Sequence, residues 1–232
     1  MTIGIIGAME EEITGLRENF DVISAKNIVG LDFYMGKLEN SSNSLVFVRC
    51  GTGKVNAAIC AQILIDLYAV DSIVSIGVAS GVANELAIGD VVLADTCVYH
   101  DFDTVALGDE PGEISRMTTS LFNADEELIR IIKEKCDELE YNALIGKVAS
   151  GDQFVTGEET KNKIWSLFKP LCIDMEATAI AHTCYLNKIP FVVLRAISEI
   201  VAQESPMDLE KVYADCAVKI LNIVKATLET GI

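Results

Sequence analysis

The stretch FVVLRAISEI, residues 191–200, is apolar through its first four positions and has no polar alternation there. A run of that length and pattern is a strand buried on both faces, the kind found in sheets covered by helices on either side. It then takes up Arg195, Ser198 and Glu199. A charge at the mouth of a buried strand is costly unless it is paired, and such positions concentrate in active sites.

Working outward, similar strand signals recur as TIGIIG at the start, LVFVRC (45–50), SIVSIG (72–77), GDVVLADTCVY (89–99) and ALIGKVAS (143–150). Helical periodicity lies between several of them. Residues 54–68 place Ala58, Ala61, Leu64 and Leu67 on one face, and residues 125–139 do the same with Leu128, Ile132, Cys136 and Leu139. A last helix is predicted from SPMD onward. Ser205 can cap it, Pro206 suits its first position and Asp208 favours its positive end. Strands alternating with helices predict an α/β fold, a three-layer α/β/α arrangement around a central mixed, twisted sheet. No composition shift, repeat or linker marks a seam, so residues 1–232 read as a single domain. The long polar stretch from His100 to Met117 carries Gly and Pro, and a loop of that length is usually functional or at an interface.

The formal charge of −17 argues against nucleic acid as a partner, because affinity for phosphate backbones comes chiefly from cations. No uninterrupted apolar stretch reaches the roughly 18 residues that a membrane span needs. The apolar start runs directly into Glu10, Glu11 and Glu12 without a basic region or cleavage site, so a cytoplasmic location is expected. The seven cysteines are scattered, with no C-x-x-C pair, and read as buried reduced thiols. With only two histidines beside them, no metal site and no cofactor are expected.

In open α/β sheets ligands bind outside the carboxyl ends of the strands. That rule gathers Glu12, the GTGK turn at 51–54, Val78 in VASG, Phe154 and Val155 in GDQFV, Asp174, Met175 and Glu176 in DMEA, and Glu199. Each has a plainer reading. Glu10 to Glu12 suit a first helical turn, GTGK lacks the spacing of a phosphate loop, Phe154 could be core, and Glu176 could open the helix EATAIAH. His182 and Trp165 read as packing residues.

Taken in order, IGIIGAMEEE, SGDQF, DMEATAIAH and VVLRAISE resemble the 5′-methylthioadenosine/S-adenosylhomocysteine nucleosidase family of the purine nucleoside phosphorylase superfamily, over essentially the whole chain. The resemblance implies a nucleoside phosphorylase-like fold and hydrolysis of the N-glycosidic bond of an adenine nucleoside, with water as nucleophile. By position it makes Glu12 the base for water. Glu176 becomes the acceptor of the ribose hydroxyls, Met175 packs on the sugar beside Asp174, and Arg195 helps to hold Glu12. Phe154 stacks on adenine, the Val155 backbone reads its edge, and Glu199 is the acid at N7. It further implies a homodimer in which Leu107 and Pro111 of the long loop contact the 5′-alkylthio group across the interface. Uridine phosphorylases carry an Arg ahead of the Gly in the strand-loop and a hydroxyl residue after it, both for phosphate; here those places hold Ser75 and Val78. This chain departs from the nucleosidase pattern in two linked places, with Val78 where the family has Ser and Glu199 where it has Asp. A phosphate-dependent phosphorylase, or a nucleoside-binding protein with weakened catalysis, stays open at this point.

Overall fold

The computed structural model describes residues 1–37, 43–202 and 208–229. The apolar runs become strands β1 (Thr2–Gly7), β4 (Ser44–Arg49), β5 (Ser72–Gly81), β6 (Val91–Tyr99), β8 (Ala143–Ser150), β9 (Cys172–Asp174) and β10 (Phe191–Ile200). Strands β2 (Asp21–Ile28), β3 (Leu31–Lys37) and the short β7 (Phe122–Asn123) complete the set and are not among the strands expected from the sequence. The reason is physical: β2 is exposed along most of its length, so it carries little apolar pattern. The helices are α1 (Glu10–Asn19), α2 (Lys54–Tyr68), α3 (Glu126–Glu138), α4 (Glu158–Phe168), α5 (Ala177–Asn187) and α6 (Leu209–Glu229).

Among the described residues all ten strands join one mixed sheet. Strand β5 lies parallel to β1 and β10, and β1 parallel to β4, which continues through β3 to β2 at the sheet's end. From β10 the sheet continues antiparallel to β6, then parallel to β8 and β9, and β9 returns antiparallel to the far end of β5. Five strands therefore close on themselves while β1, β4, β3 and β2 extend as an open wing. The twist of adjacent strands makes such curling natural. Two irregularities matter later: the register slips between Ile197 and Glu199 in β10, and between Val22 and Ser24 in β2.

Helices α1, α3 and α6 pack together, with α6 against β10 and β5, while α2 and α5 form a second packed pair. On α3 the expected stripe is buried through Leu128, Ile132 and Cys136. On α2 the buried side is Ala57, Cys60, Ala61 and Leu64, and Leu67, expected inside, is exposed. The seven cysteines are free and buried. His182 packs as expected, stacked on Phe122 at 4.6 Å. Ser205 and Pro206 lie outside the described residues, but the Asp208 carboxylate accepts from the Lys211 amide at 3.0 Å and caps α6. Among the described residues no helix is long and apolar enough to cross a membrane.

Asp125 caps α3 in the same way, accepting from the Leu128 amide at 2.9 Å. We expect Asp125→Ala to lower unfolding free energy by about 1 kcal/mol in urea titration, since one amide donor at the helix start loses its acceptor. Kinetic constants should not change, because the cap is remote from the cavity described next.

Candidate active site

A cavity of about 240 Å³ opens where strand ends meet, lined among others by Met9, Glu12, Val78, Ser80, Phe154, Val155, Met175, Glu176, Glu199 and Tyr213. The strands do not all point to one rim, as the sequence reading supposed. Strands β1, β5 and β10 run one way and β6, β8 and β9 the other, so the loops after β8 and β9 face the ends of β1 and β5 across the cavity.

Glu12 both opens a helix and lines the cavity. It sits in the first turn of α1, and its Oε2 accepts from the Ala8 and Met9 amides at 2.6 and 2.9 Å, so it caps its own helix. Its Oε1 accepts from the Val78 amide at 3.1 Å. Two glycines make room for it: a Cβ on Gly77 would stand 2.9 Å from Oε1, and one on Gly7 would stand 3.1 Å from Oε2. Burial pushes the Glu12 carboxyl above its usual range, against the pull of these amides and of the Arg195 charge. Glu10 instead pairs with Arg17 at the surface.

Arg195 spends its hydrogen bonds elsewhere than on Glu12, which feels its charge. Arg195 is 2% exposed. Its Nε donates to Asp174 Oδ2 at 2.8 Å, one terminal nitrogen donates to the Ser75 and Leu194 carbonyls at 3.1 and 3.0 Å, and the other to Ser75 Oγ at 3.0 Å. Its influence on Glu12 is through charge alone. Asp174 is thus an anchor: it also accepts from Ser150 Oγ and from the Ala177 amide, at the start of α5.

Glu176 precedes α5, and its Oε1 accepts from the Gly53 amide at 2.7 Å, so the GTGK turn supports a carboxylate and starts a helix. Burial, then the Asp174 charge, raise the Glu176 carboxyl to about 7. Behind the main cavity lies a second of about 10 Å³, lined by Glu12, Cys50, Ser75, Glu176 and Arg195 among others. That is about the room of one water molecule.

Phe154 is 58% exposed at the mouth and Val155 is buried in the wall. Leu107 and Pro111 are exposed and do not line this cavity. Among the lining residues that no sequence signal singles out, two bear on Glu199. Tyr213 arrives on α6, beyond residues 203–207, with no motif to announce it; the Glu199 charge acts on its hydroxyl. Ser80 lies two residues after Val78, and its hydroxyl donates to Glu199 Oε1 at 2.6 Å. Glu199 is therefore not released from a hydroxyl partner by Val78. The partner stands at the next position on the same face of the strand, where alternation sets Ser80 beside Val78 but does not say which residue of β10 it faces.

A family profile described as the phosphorylase superfamily matches residues 2–229. The structure is similar to that of S-adenosylhomocysteine nucleosidase from Streptococcus pyogenes in complex with 5-methylthiotubericidin, with 32% identity, TM-score 0.93, and 100% and 98% of the two chains covered. It is also similar to a 5′-methylthioadenosine/S-adenosylhomocysteine nucleosidase from Colwellia psychrerythraea in complex with adenine, with 35% identity, TM-score 0.90, and 98% and 94% covered. The chain belongs to the phosphorylase superfamily and, within it, to this nucleosidase family. A futalosine hydrolase of Helicobacter pylori shares the architecture too, at 29% identity, TM-score 0.93, and 99% and 98% covered.

The raised Glu176 pKa makes a stability statement for this nucleosidase family member. Folding favours the protonated carboxyl, so that contribution is complete below the ordinary value of 4.5 and is lost as pH rises through about 7. Glu176→Gln carries no such charge and can still accept from Gly53. We expect its Tm to gain on the unaltered chain as pH rises from about 4.5 to about 7 and the gap to level off above that, measured by calorimetry across that range.

Proposed function

We propose that the chain hydrolyses the N-glycosidic bond of 5′-methylthioadenosine and S-adenosylhomocysteine, releasing adenine and the 5-thio-ribose. The observation that carries this is the one-water cavity beside Glu12, walled by a guanidinium whose hydrogen bonds are spent on Asp174, Ser75 and Leu194. That small cavity takes about one water, and a phosphate ion brought to it would meet the carboxylates of Glu12 and Glu176. Lys54, at the edge of the site, is itself paired with Asp101 at 2.6 Å. Water is the nucleophile that fits, which sets aside the phosphorolytic reading.

In this reading Glu12 takes a proton from water as the water oxygen bonds to C1′. The bond from C1′ to N9 breaks, its electron pair passes into the purine, and Glu199 delivers a proton at N7. Glu176 accepts the ribose hydroxyls, and those hydrogen bonds strengthen as the sugar gains positive charge. Met175 packs against the sugar, Phe154 lies over the base, and the Val155 backbone meets its edge. Arg195 and Asp174 act from behind, fixing the loop that carries Met175 and Glu176. The reaction needs no cofactor. It suits a cytoplasmic enzyme of methionine salvage formed from one domain.

We further assign a two-fold homodimer built on the α2 and α5 face. Val55, Ile59 and Leu67 form an exposed stripe along α2, and Tyr185 and Leu186 are exposed on α5. Neighbouring exposed apolar side chains on two packed helices suit an interaction face, and paired copies are the commonest soluble assembly. The end of the long loop is tied to the same face through Thr118 and Tyr185, whose hydroxyls lie 2.9 Å apart. Leu107 and Pro111 on that loop are then placed to close the partner's cavity around the 5′ group.

Purified protein should release adenine from 5′-methylthioadenosine in phosphate-free buffer, followed by chromatography; a strict phosphate requirement would overturn the assignment. Glu12→Gln should lower kcat by roughly 10²-fold or more with KM little changed, because the base is lost while the ribose and adenine contacts stay. Ile59→Asp should give a monomer in sedimentation velocity, and KM should rise more than kcat falls as the loop contact is lost. A monomeric unaltered chain would refute the dimer.

A further inference from the structure

In β10 the residues facing β5 run in step until Ile197 pairs with Ala79, after which Glu199 pairs with Ser80. One residue, Ser198, is extra. With no slip in register Ser198 would face Ser80 and Glu199 would stand opposite Gly81. The bulge therefore sets the carboxylate directly across from the one hydroxyl in this part of β5, and bulges near active sites commonly re-aim a side chain in this way. Ser198 is itself buried, with its hydroxyl directed at the Ala79 carbonyl at 3.5 Å, so the extra residue is held inside the fold.

The contact that results is short, 2.6 Å from Ser80 Oγ to Glu199 Oε1, and Ser80 is 8% exposed. A hydroxyl donor at that distance fixes the oxygen that accepts it, also when the carboxyl carries its proton on the other oxygen. It occupies Oε1 and leaves Oε2 for the cavity that both residues line. The other side chain on that face of β5, Val78, is apolar and gives Glu199 no competing partner. Glu has one more rotatable bond than Asp, so a free Glu199 would sample several carboxyl positions; one fixed oxygen removes most of that freedom.

We propose that Ser80 is a positioning residue for this reaction, holding Glu199 through a hydrogen bond that the bulge at Ser198 creates, so that one carboxyl oxygen faces the departing base. This rests on the hydrolase reading above. Ser80 works through Glu199 and has no part in activating water, so its importance depends on how much proton the leaving group needs.

Two substrates and two Ser80 variants test this. For 5′-methylthioadenosine, Ser80→Ala should lower kcat about 10- to 100-fold, the cost of a carboxyl displaced by about 1 Å. Ser80→Thr, which keeps the hydroxyl on a strand-compatible side chain, should recover most of it. For a 4-nitrophenyl riboside bearing the same 5′-methylthio group, whose leaving group departs without a proton, Ser80→Ala should change kcat less than about threefold. Adenine affinity measured by calorimetry should fall about tenfold in Ser80→Ala and return in Ser80→Thr. The inference is overturned if Ser80→Ala leaves adenine release unchanged, or if both substrates are lost equally and Ser80→Thr restores neither. If the unaltered chain releases no adenine, the hydrolase reading falls by itself. Adenine affinity then decides the positioning role, and equal affinity in Ser80→Ala overturns it.

Discussion

The ion pair between Arg195 and Asp174 is the contact on which the site depends. Both side chains are almost wholly removed from water, at 2% and 1% exposure, and 2.8 Å apart. Taking two charges out of water costs several kcal/mol each, and attraction repays it only when the remaining donors and acceptors are also satisfied. Here they are. Ser75 and the Leu194 carbonyl take the rest of the guanidinium, while Ser150 and the Ala177 amide take the rest of the carboxylate. The network ties β10 to β5, β9, β8 and the start of α5, the elements that deliver Glu199, Ser80, Met175 and Glu176 to the cavity. Because its cation is already committed, the space in front of it is acidic, and that is the electrostatic ground for assigning water as the attacking group.

Glu12 shows how a carboxylate can be kept in such a place. Three backbone amides face it, and the absence of side chains at Gly7 and Gly77 lets the main chain approach. Burial raises the affinity of Glu12 and Glu176 for protons, and the amides and Arg195 limit that rise. The role we propose for Glu12, as base for water, needs this balance. Fully solvated, the carboxylate would hold protons too weakly, and buried without partners it would never give them up near neutrality.

Much of this was legible in the sequence because burial leaves a pattern. Strands such as β5 and β10 are covered on both faces and read as unbroken apolar runs, and the acids at their ends stand out against that background. Strands β2 and β3 were not legible, being largely outside the core. Leu67 was misplaced because periodicity marks an apolar face without saying whether helix, sheet or another molecule covers it. The role of Arg195 was only half visible: its charge and position are in the sequence, but its choice of Asp174 over Glu12 depends on β9 returning to β5, which local pattern does not encode. Ser80 was overlooked because a one-residue slip in register decides what faces Glu199, and nothing in the composition of ISE announces a bulge.

The closed ring formed by β5, β10, β6, β8 and β9 also bears on how the chain avoids its neighbours during folding and storage. The ring leaves only short stretches of its strands without a neighbour, so among the described residues the long outer border of this sheet lies at β2, at the tip of the open wing. That border carries Asp21 and Lys26, both exposed, and the register slip between Val22 and Ser24 bends it. Charges and bulges on an outer strand discourage another chain from docking there as an added strand. The strand that contributes least to the core thus guards the sheet against aggregation.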